Sequence, residues 1–378
     1  MSAVSVSVAA EQLRRRVPGG IGTYALGLLR GLGELPFDER PQISLVASRP
    51  ARGPDPLAVF GYPVSSSLLP GPLMTRAWDS GLLRVGRGSD IVHSVSLAAP
   101  RPARGAALVV VVHDVAWRSL PDAFPERGRR WHEAALLRAA RRAAAFIVPS
   151  EATAEAVLGA GVGISEDKLA VVAEGADHLG EPDAAAGQAL LESLGVNGPY
   201  LLTVSTLEPR KNLFRLVEAY EAARAKLPEP WPLLIVGPSG WGESLTASRL
   251  ESAPGVVFAG AVDGGALAAI YSGARCCAYV PLLEGFGLPV VEAMSQGTPV
   301  VASRVPSSGG ASLEVEPTDI SSIAEGLLAA ACDEQTRASL IERGRARAAA
   351  LRWVAILRRR HSGRRCVRRV RPTRSCSA

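Results

Sequence analysis

The chain is poor in the residue types that mark several common protein classes. Its 378 residues include only five cysteines. Their spacing is irregular and no Cys-x-x-Cys pair occurs, which excludes a disulfide framework and gives no zinc signature. A reducing cytoplasm is therefore the expected compartment. No apolar run approaches the roughly eighteen residues that a membrane-spanning helix needs. The basic run Arg14-Arg15-Arg16 follows the first apolar run, the reverse of a signal peptide. Lysine is scarce, so the positive charge is almost all arginine.

What is present suits a globular α/β protein. The chain is 47% apolar and 21% charged, long enough for two ordinary domains with sizeable cores. The net charge of +6 is misleading, because residues 352–378 hold ten arginines and no acid. Removing those ten leaves 32 basic against 36 acidic groups, a balance of −4. The basic character belongs to a tail, so no nucleic-acid partner is expected of the folded body.

Short apolar runs at 3–9, 43–47, 90–95, 107–113 and 145–149 alternate with amphipathic segments near 20–34, 127–142 and 151–160. That alternation predicts a parallel sheet with crossover helices over residues 1–180. Residues 50–72 are rich in Pro, Gly and Ser and read as a long surface loop. Residues 181–198 read as a linker with one helix. The pattern restarts over 199–351, with apolar runs at 200–205, 233–237, 256–260, 276–280 and 298–302. The fold class is thus α/β, with two doubly wound parallel-sheet domains.

In such sheets ligands bind outside the carboxyl ends of the strands. After residues 200–205 comes Thr206-Leu207-Glu208-Pro209-Arg210-Lys211-Asn212, then a helix. Two cations near a helix N-terminus oppose its dipole unless an anion is shared, and a phosphate is the natural anion there. Water could equally solvate an ordinary surface Arg-Lys pair. After residues 233–237 comes Pro238-Ser239-Gly240-Trp241-Gly242, a weak signal by itself. After residues 276–280 comes Glu284-Gly285-Phe286-Gly287-Leu288-Pro289, with Glu292 one turn into a helix over 289–296 that Gly297 would cap. Glycines there let backbone amides approach a phosphate, and a carboxylate such as Glu292 can accept two ribose hydroxyls. The plain alternative is that acids favour helix N-termini for dipole reasons. In the first half, Val17-Pro18-Gly19-Gly20-Ile21-Gly22 opens a helix after the first strand, and His113-Asp114 follows another strand. Neither completes a GxGxxG dinucleotide fingerprint, so an NAD oxidoreductase fits worst.

Taken together, these segments resemble the retaining nucleotide-sugar glycosyltransferases of family four (glycosyl transferases group 1), especially mannosyltransferase-like members of the actinobacterial type. The resemblance covers roughly residues 10–303. It is carried by Glu284 and Glu292 as the family's E-x7-E pair, by residues 206–212 as its phosphate loop, and by Pro18–Gly22, His113-Asp114 and Pro149-Ser150-Glu151 in its N-terminal half. It implies the GT-B fold, two Rossmann-like domains facing across a cleft. Arg210 and Lys211 would neutralise the diphosphate, with Thr206 beside them and the backbone of Gly285, Phe286, Gly287 and Leu288 adding to the cradle. Glu292 would hold the ribose and Glu284 the donor sugar. Gly20 would approach the diphosphate, His113 would lie near the reacting face, and Gly19 and Asp114 would stand on the acceptor side. No metal and no cofactor are implied, because Arg and Lys supply the positive charge. The implied partners are a nucleotide-sugar donor, best matched by GDP-mannose, and a glycan or lipid-linked acceptor of cell-envelope or polysaccharide synthesis. A front-face route with retention follows from the resemblance; retention in glycosidases uses two close carboxylates, and only Glu284 stands near the sugar here.

Three departures stand against that pattern. Thr206 occupies a position where some members carry Arg. Residues 304–315 are shorter than the family's connection. From residue 351 the periodicity vanishes into an Arg-rich tail over 352–378, read either as a shifted reading frame, which would remove the helix that crosses back to the first domain, or as a genuine basic tail for nucleic acid or anionic lipid. The basic segment 127–142, with Arg127, Arg130, Arg138, Arg141, Arg142, Trp131 and Leu137, offers peripheral contact with an anionic membrane at its inner face; an ordinary surface helix is the alternative. The competing functions are a damaged homologue that only binds nucleotide and a GT-B-fold sugar epimerase.

Overall fold

The computed structural model describes residues 3–238, 240, 250, 252–262 and 264–358. These form two compact units. One comprises residues 3–115, 126–174 and 353–358; the other comprises 116–125 and 175–352 among the described residues. The fold class expected from the sequence is the one observed.

The first unit is built on β1 (Ser5–Ala9), β2 (Gln42–Ala47), β3 (Val64–Ser66), β5 (Ile91–Ser94), β7 (Ala107–Val111), β8 (Ala145–Val148) and β9 (Leu169–Val171), with a separate pair β4 (Arg84–Val85) and β6 (Arg101–Pro102). The seven strands run parallel in the order β3-β2-β1-β5-β7-β8-β9. The second unit has β10 (Leu201–Val204), β11 (Leu233–Val236), β12 (Val256–Gly260), β13 (Cys276–Tyr279), β14 (Val300–Ala302) and β15 (Leu313–Glu314). They too are parallel, in the order β12-β11-β10-β13-β14-β15. Central strands such as Leu233–Val236 and Cys276–Tyr279 are buried at every residue. Helices cover both faces of a parallel sheet, so its central strands read as continuous apolar runs rather than alternating ones.

Around the second sheet, Leu201, Leu216, Tyr220, Ile235, Val301 and Leu327 share one core. Tyr220 is fully buried, and its hydroxyl donates to the Trp231 carbonyl at 2.8 Å, so its one polar atom is satisfied. Helix starts are set locally. Asp319 accepts from the Ser321 and Ser322 amides, and Asp333 accepts from Gln335, so each supplies acceptors to first-turn amides that have no intrahelical partner.

Four stretches differ from what the sequence suggests. The loop over 50–72 contains edge strand β3, which pairs with β2 in register Leu45↔Val64. Strand β9 is three half-buried residues, too short to stand out as an apolar run. The stretch 181–198 carries helix Ala184–Ser193, which is part of the second unit; a Cβ on Gly187 would lie 2.6 Å from that of Ala269 on helix Gly264–Gly273. The Arg-rich end does not lose structure at residue 351. Helix Trp353–Arg358 packs on helix Gly19–Glu34 of the first unit, with Trp353 buried against Gly27 and Gly31, where any Cβ would collide with the indole. Tyr24 meets the same indole edge-on at 5.4 Å, and Arg358 pairs with Glu39 at 2.7 Å. Residues 359–378 lie outside the described residues, as do Ser239, Trp241 and Gly242 of the glycine-rich turn.

Candidate functional site

Strand order in the second sheet reverses between β10 and β13, which creates the crevice where doubly wound sheets take ligands. Both motif-bearing segments leave the sheet there. The chain after β10 forms a short 3-10 turn, Pro209–Lys211. Asn212 then adopts a left-handed φ of 61°, and its Nδ2 donates to the Val280 and Pro317 carbonyls at 3.1 and 2.7 Å. The first bond ties the β10 exit to the β13 exit, and the second ties it to the chain after β15. Gly237, after β11, approaches so closely that a Cβ would fall 2.0 Å from the Ser205 carbonyl oxygen, and a Cβ on Gly240 would fall 2.9 Å from Thr206 Cγ2.

The β10 and β13 exits meet in a charged cluster. Glu284 Oε2 accepts from Lys211 Nζ at 2.5 Å, Tyr279 hydroxyl at 2.7 Å and Arg210 Nη1 at 3.2 Å. Arg210 Nε also donates to Glu208 Oε2 at 3.0 Å, and Lys211 Nζ to the Tyr279 hydroxyl at 2.6 Å. The side chains of Lys211, Arg210 and Glu284 keep only 10%, 14% and 13% of their exposure, so solvent screens their charges little. Burial works against the Glu284 carboxylate, but the charges of Lys211 and Arg210 outweigh it and hold its pKa down to about 2. Burial also lowers the Lys211 pKa, with Arg210 adding repulsion and Glu284 opposing the shift. The Tyr279 hydroxyl is pushed up by burial and by the Glu284 charge, so it stays a neutral donor.

The glycine turn follows directly. Gly287 has φ 96° and stands at the N-terminus of helix Leu288–Ser295, with Phe286 and Leu288 buried beside it. The connection that looks shortened, 304–315, closes onto this turn: Ser307 Oγ donates to the Gly287 carbonyl at 2.7 Å and the Ser307 amide to Phe286 at 2.9 Å. Its shortness leaves a packed turn rather than a gap.

Glu292 does not join the cluster. Its two oxygens face His178 Nε2 and the Tyr271 hydroxyl, each at 2.8 Å, in a buried network. A carboxylate has about four lone-pair positions, so this leaves acceptor capacity on each oxygen. Burial and the Glu292 charge raise the Tyr271 pKa well above its ordinary value, keeping the hydroxyl protonated.

The first unit presents a second, simpler set. Gly19 (φ 59°) and Gly20 open helix Gly19–Glu34 with no atom within 4 Å of where a Cβ would sit, whereas a Cβ on Gly22 would strike Pro18. His113 leaves β7 with Nε2 2.9 Å from the Val95 carbonyl and Nδ1 3.0 Å from Glu174 Oε1. A carbonyl can only accept, so Nε2 carries a proton. Burial alone would lower the His113 pKa, but the hydrogen bond and charge of Glu174, with help from Val95 and Asp114, raise it. An imidazolium making both bonds has no lone pair with which to act as a base. His93, buried nearby, is pushed down to about 4 by desolvation and by His113.

Sequence reasoning missed Glu208, Tyr279, Glu174, His178 and Tyr271. Glu208 and Tyr279 lay inside segments already singled out, one within 206–212 and the other within the apolar run 276–280. Glu174 and His178 follow β9, the strand too short to be read. On the basic helix, seen over Glu126–Arg142, Trp131 Nε1 and Arg138 are engaged by Asp79 at 2.8 and 2.6 Å. Among the described residues no helix is long and apolar enough to cross a membrane.

The chain is similar to known proteins in sequence and in fold. Residues 18–178 match the family model described as Glycosyltransferase Family 4, and residues 192–347 that described as Glycosyl transferases group 1. An O-antigen chain mannosyltransferase B of Escherichia coli is 34% identical over 161 residues, 41% of this chain and 42% of the relative. A phosphatidyl-myo-inositol mannosyltransferase of Mycobacterium tuberculosis is 31% identical over 186 residues, 46% of this chain and 49% of the relative. The matched stretch thus spans less than half of either relative's length. The structure of Anabaena Alr3699/HepE in complex with UDP and glucose aligns over 94% of this chain and 97% of that one, with TM-score 0.69 and 19% identity, a likeness of fold. The architecture is GT-B.

Proposed function

We propose, from the premise that this chain belongs to the family-four, group 1 glycosyltransferases, that it moves a sugar from a nucleotide-sugar donor to an acceptor hydroxyl. The observation that carries this is the paired cation site Arg210–Lys211 where β10 and β13 part. Breaking a sugar–phosphate bond leaves negative charge on a diphosphate, and two fixed cations beside the backbone of a glycine turn stabilise that charge as it develops. Arg210 and Lys211 hold the diphosphate without a metal. The amides of Gly285–Leu288 add to the cradle, with Thr206 at its edge. Glu284, pinned as an anion, accepts donor-sugar hydroxyls, and Glu292, steadied by His178 and Tyr271, takes the ribose.

The donor is a GDP-sugar, best matched by GDP-mannose. Mannosyltransferases among the similar proteins support that choice. Configuration is retained by a front-face route in which the leaving phosphate takes the acceptor proton. The acceptor is a glycan or lipid-linked hydroxyl of cell-envelope or polysaccharide synthesis, met on the side of Gly19, Gly20 and Asp114, with contact at an anionic membrane as a peripheral protein.

The test is proton NMR of GDP-mannose, with UDP-glucose as the competing donor, incubated with the chain, mannoside acceptors and a chelator. The expected result is loss of the donor anomeric signal and growth of a product with the same anomeric configuration. An inverted product would overturn retention, epimerised donor would favour the epimerase reading, and nucleotide binding without turnover would favour the damaged homologue.

A further inference from the structure

The cation site is already balanced. Among the described residues, Arg210 and Lys211 face two carboxylates, Glu208 and Glu284. A diphosphate brings two or more further negative charges into a site where little solvent remains to screen them. Either the ligand is repelled or a carboxylate yields, and the geometry says which. Glu284 Oε2 is held by three donors, from Lys211, Arg210 and Tyr279. Glu208 is held through Arg210 Nε at 3.0 Å, and its side chain keeps only 8% of its exposure. It also sits two residues from the guanidinium it neutralises, on the loop that would receive the phosphates.

We propose that Glu208 competes with the diphosphate for Arg210: the bound nucleotide takes over the guanidinium, and Glu208 accepts a proton from solvent and stays in place as a neutral carboxyl. The proposal rests on the nucleotide-sugar reading above. The groups facing Glu208 are Arg210 and Lys211 on its own turn and Glu284 and Tyr279 from the β13 side. Burial raises the Glu208 pKa even against the two cations, with Glu284 adding to the rise, so the charged form is already the costly one. Losing Arg210 to a phosphate removes its main support and moves it further up. Binding is then proton-coupled and strengthens as pH falls toward the raised Glu208 pKa. One unit of added pKa corresponds to a tenfold change in affinity.

The experiment is calorimetry of the full chain with GDP, UDP and ADP between about pH 7 and 8, in two buffers of different ionisation enthalpy, with Glu208→Gln alongside. Glutamine keeps an acceptor for Arg210 Nε but cannot take up the proton. Wild type is expected to take up a measurable fraction of a proton per nucleotide. Glu208→Gln is expected to bind about three- to tenfold tighter at the upper pH, with that uptake gone. Binding by wild type with no proton uptake overturns the proposal without needing the variant. Equal or weaker binding by a folded Glu208→Gln, with uptake unchanged, overturns it too and leaves Glu208 as a structural anchor. No binding of any nucleotide by wild type removes the nucleotide-sugar reading and this proposal together.

Discussion

The two units share one architecture and use their strand ends in opposite ways. In the second, the exits of β10 and β13 are filled with charged and phenolic groups bonded to one another: Arg210, Lys211, Glu208, Glu284 and Tyr279. In the first, the corresponding ground holds two glycines with open space around them and one His–Glu pair. Paired cations suit a ligand that carries several negative charges, such as a diphosphate. Open backbone suits a partner recognised by shape and hydroxyls. A doubly wound fold thus supplies the location of a site, while the residues at its strand exits decide what kind of ligand it takes.

The comparison can be broken most severely at the charged cluster. Lys211→Met leaves Glu284 buried beside Tyr279 with half its positive support, and breaking one member of such a pair costs about 3–5 kcal/mol. Urea unfolding should show that loss, and nucleotide binding should fall about a hundredfold or more. The equivalent strike at the first unit is apolar. Trp353→Ala empties the space against Gly27 and Gly31, with an expected cost of about 3–5 kcal/mol. It should speed amide exchange in helix Gly19–Glu34 while leaving the amides of 201–224 protected. Equal loosening of both units would contradict two independently packed cores.

Acid and base should separate the units. The Glu284 pKa is lowered from 4.5 to about 2, so its contribution is present above about pH 4.5 and fades as pH falls toward 2. The His113 pKa is raised above 6.5, so its contribution is full below about 6.5 and fades as pH rises through the raised value. In melts across pH 3 to 9, the deficit of Glu284→Gln should shrink in acid and that of His113→Gln should shrink in base. Two deficits with the same trend would contradict this assignment of charges. The smallest effect is expected of Gly20→Ala, whose Cβ meets nothing within 4 Å; stability should move by less than about 0.5 kcal/mol. A fall in transfer rate with nucleotide affinity unchanged would place an acceptor or donor group against that turn.

Much of this was legible in the residues. Apolar runs gave the central strands because both faces of a parallel sheet are covered. Glu284, Arg210 and Lys211 stood out because charges at strand exits need a reason, and the structure brings those three together. What stayed hidden was pairing. Nothing in the order Thr206-Leu207-Glu208 shows that Glu208 turns onto Arg210, and nothing in Cys276-Cys277-Ala278-Tyr279 shows that the last hydroxyl of a core strand reaches Glu284. The His178–Glu292–Tyr271 network joins residues 114 and 21 positions apart, beyond any local pattern. Trp353 was lost in a compositional shift that the eye reads as the end of the fold.

The most direct measurement is calorimetric titration of the purified chain with GDP, UDP and ADP, repeated on Lys211→Ala and Glu292→Ala. GDP is expected to bind well and both substitutions to weaken it, Lys211→Ala the more. A folded wild-type chain that binds none of the three, or binds one equally well after both substitutions, would contradict the claim that the β10–β13 crevice is a nucleotide-sugar site.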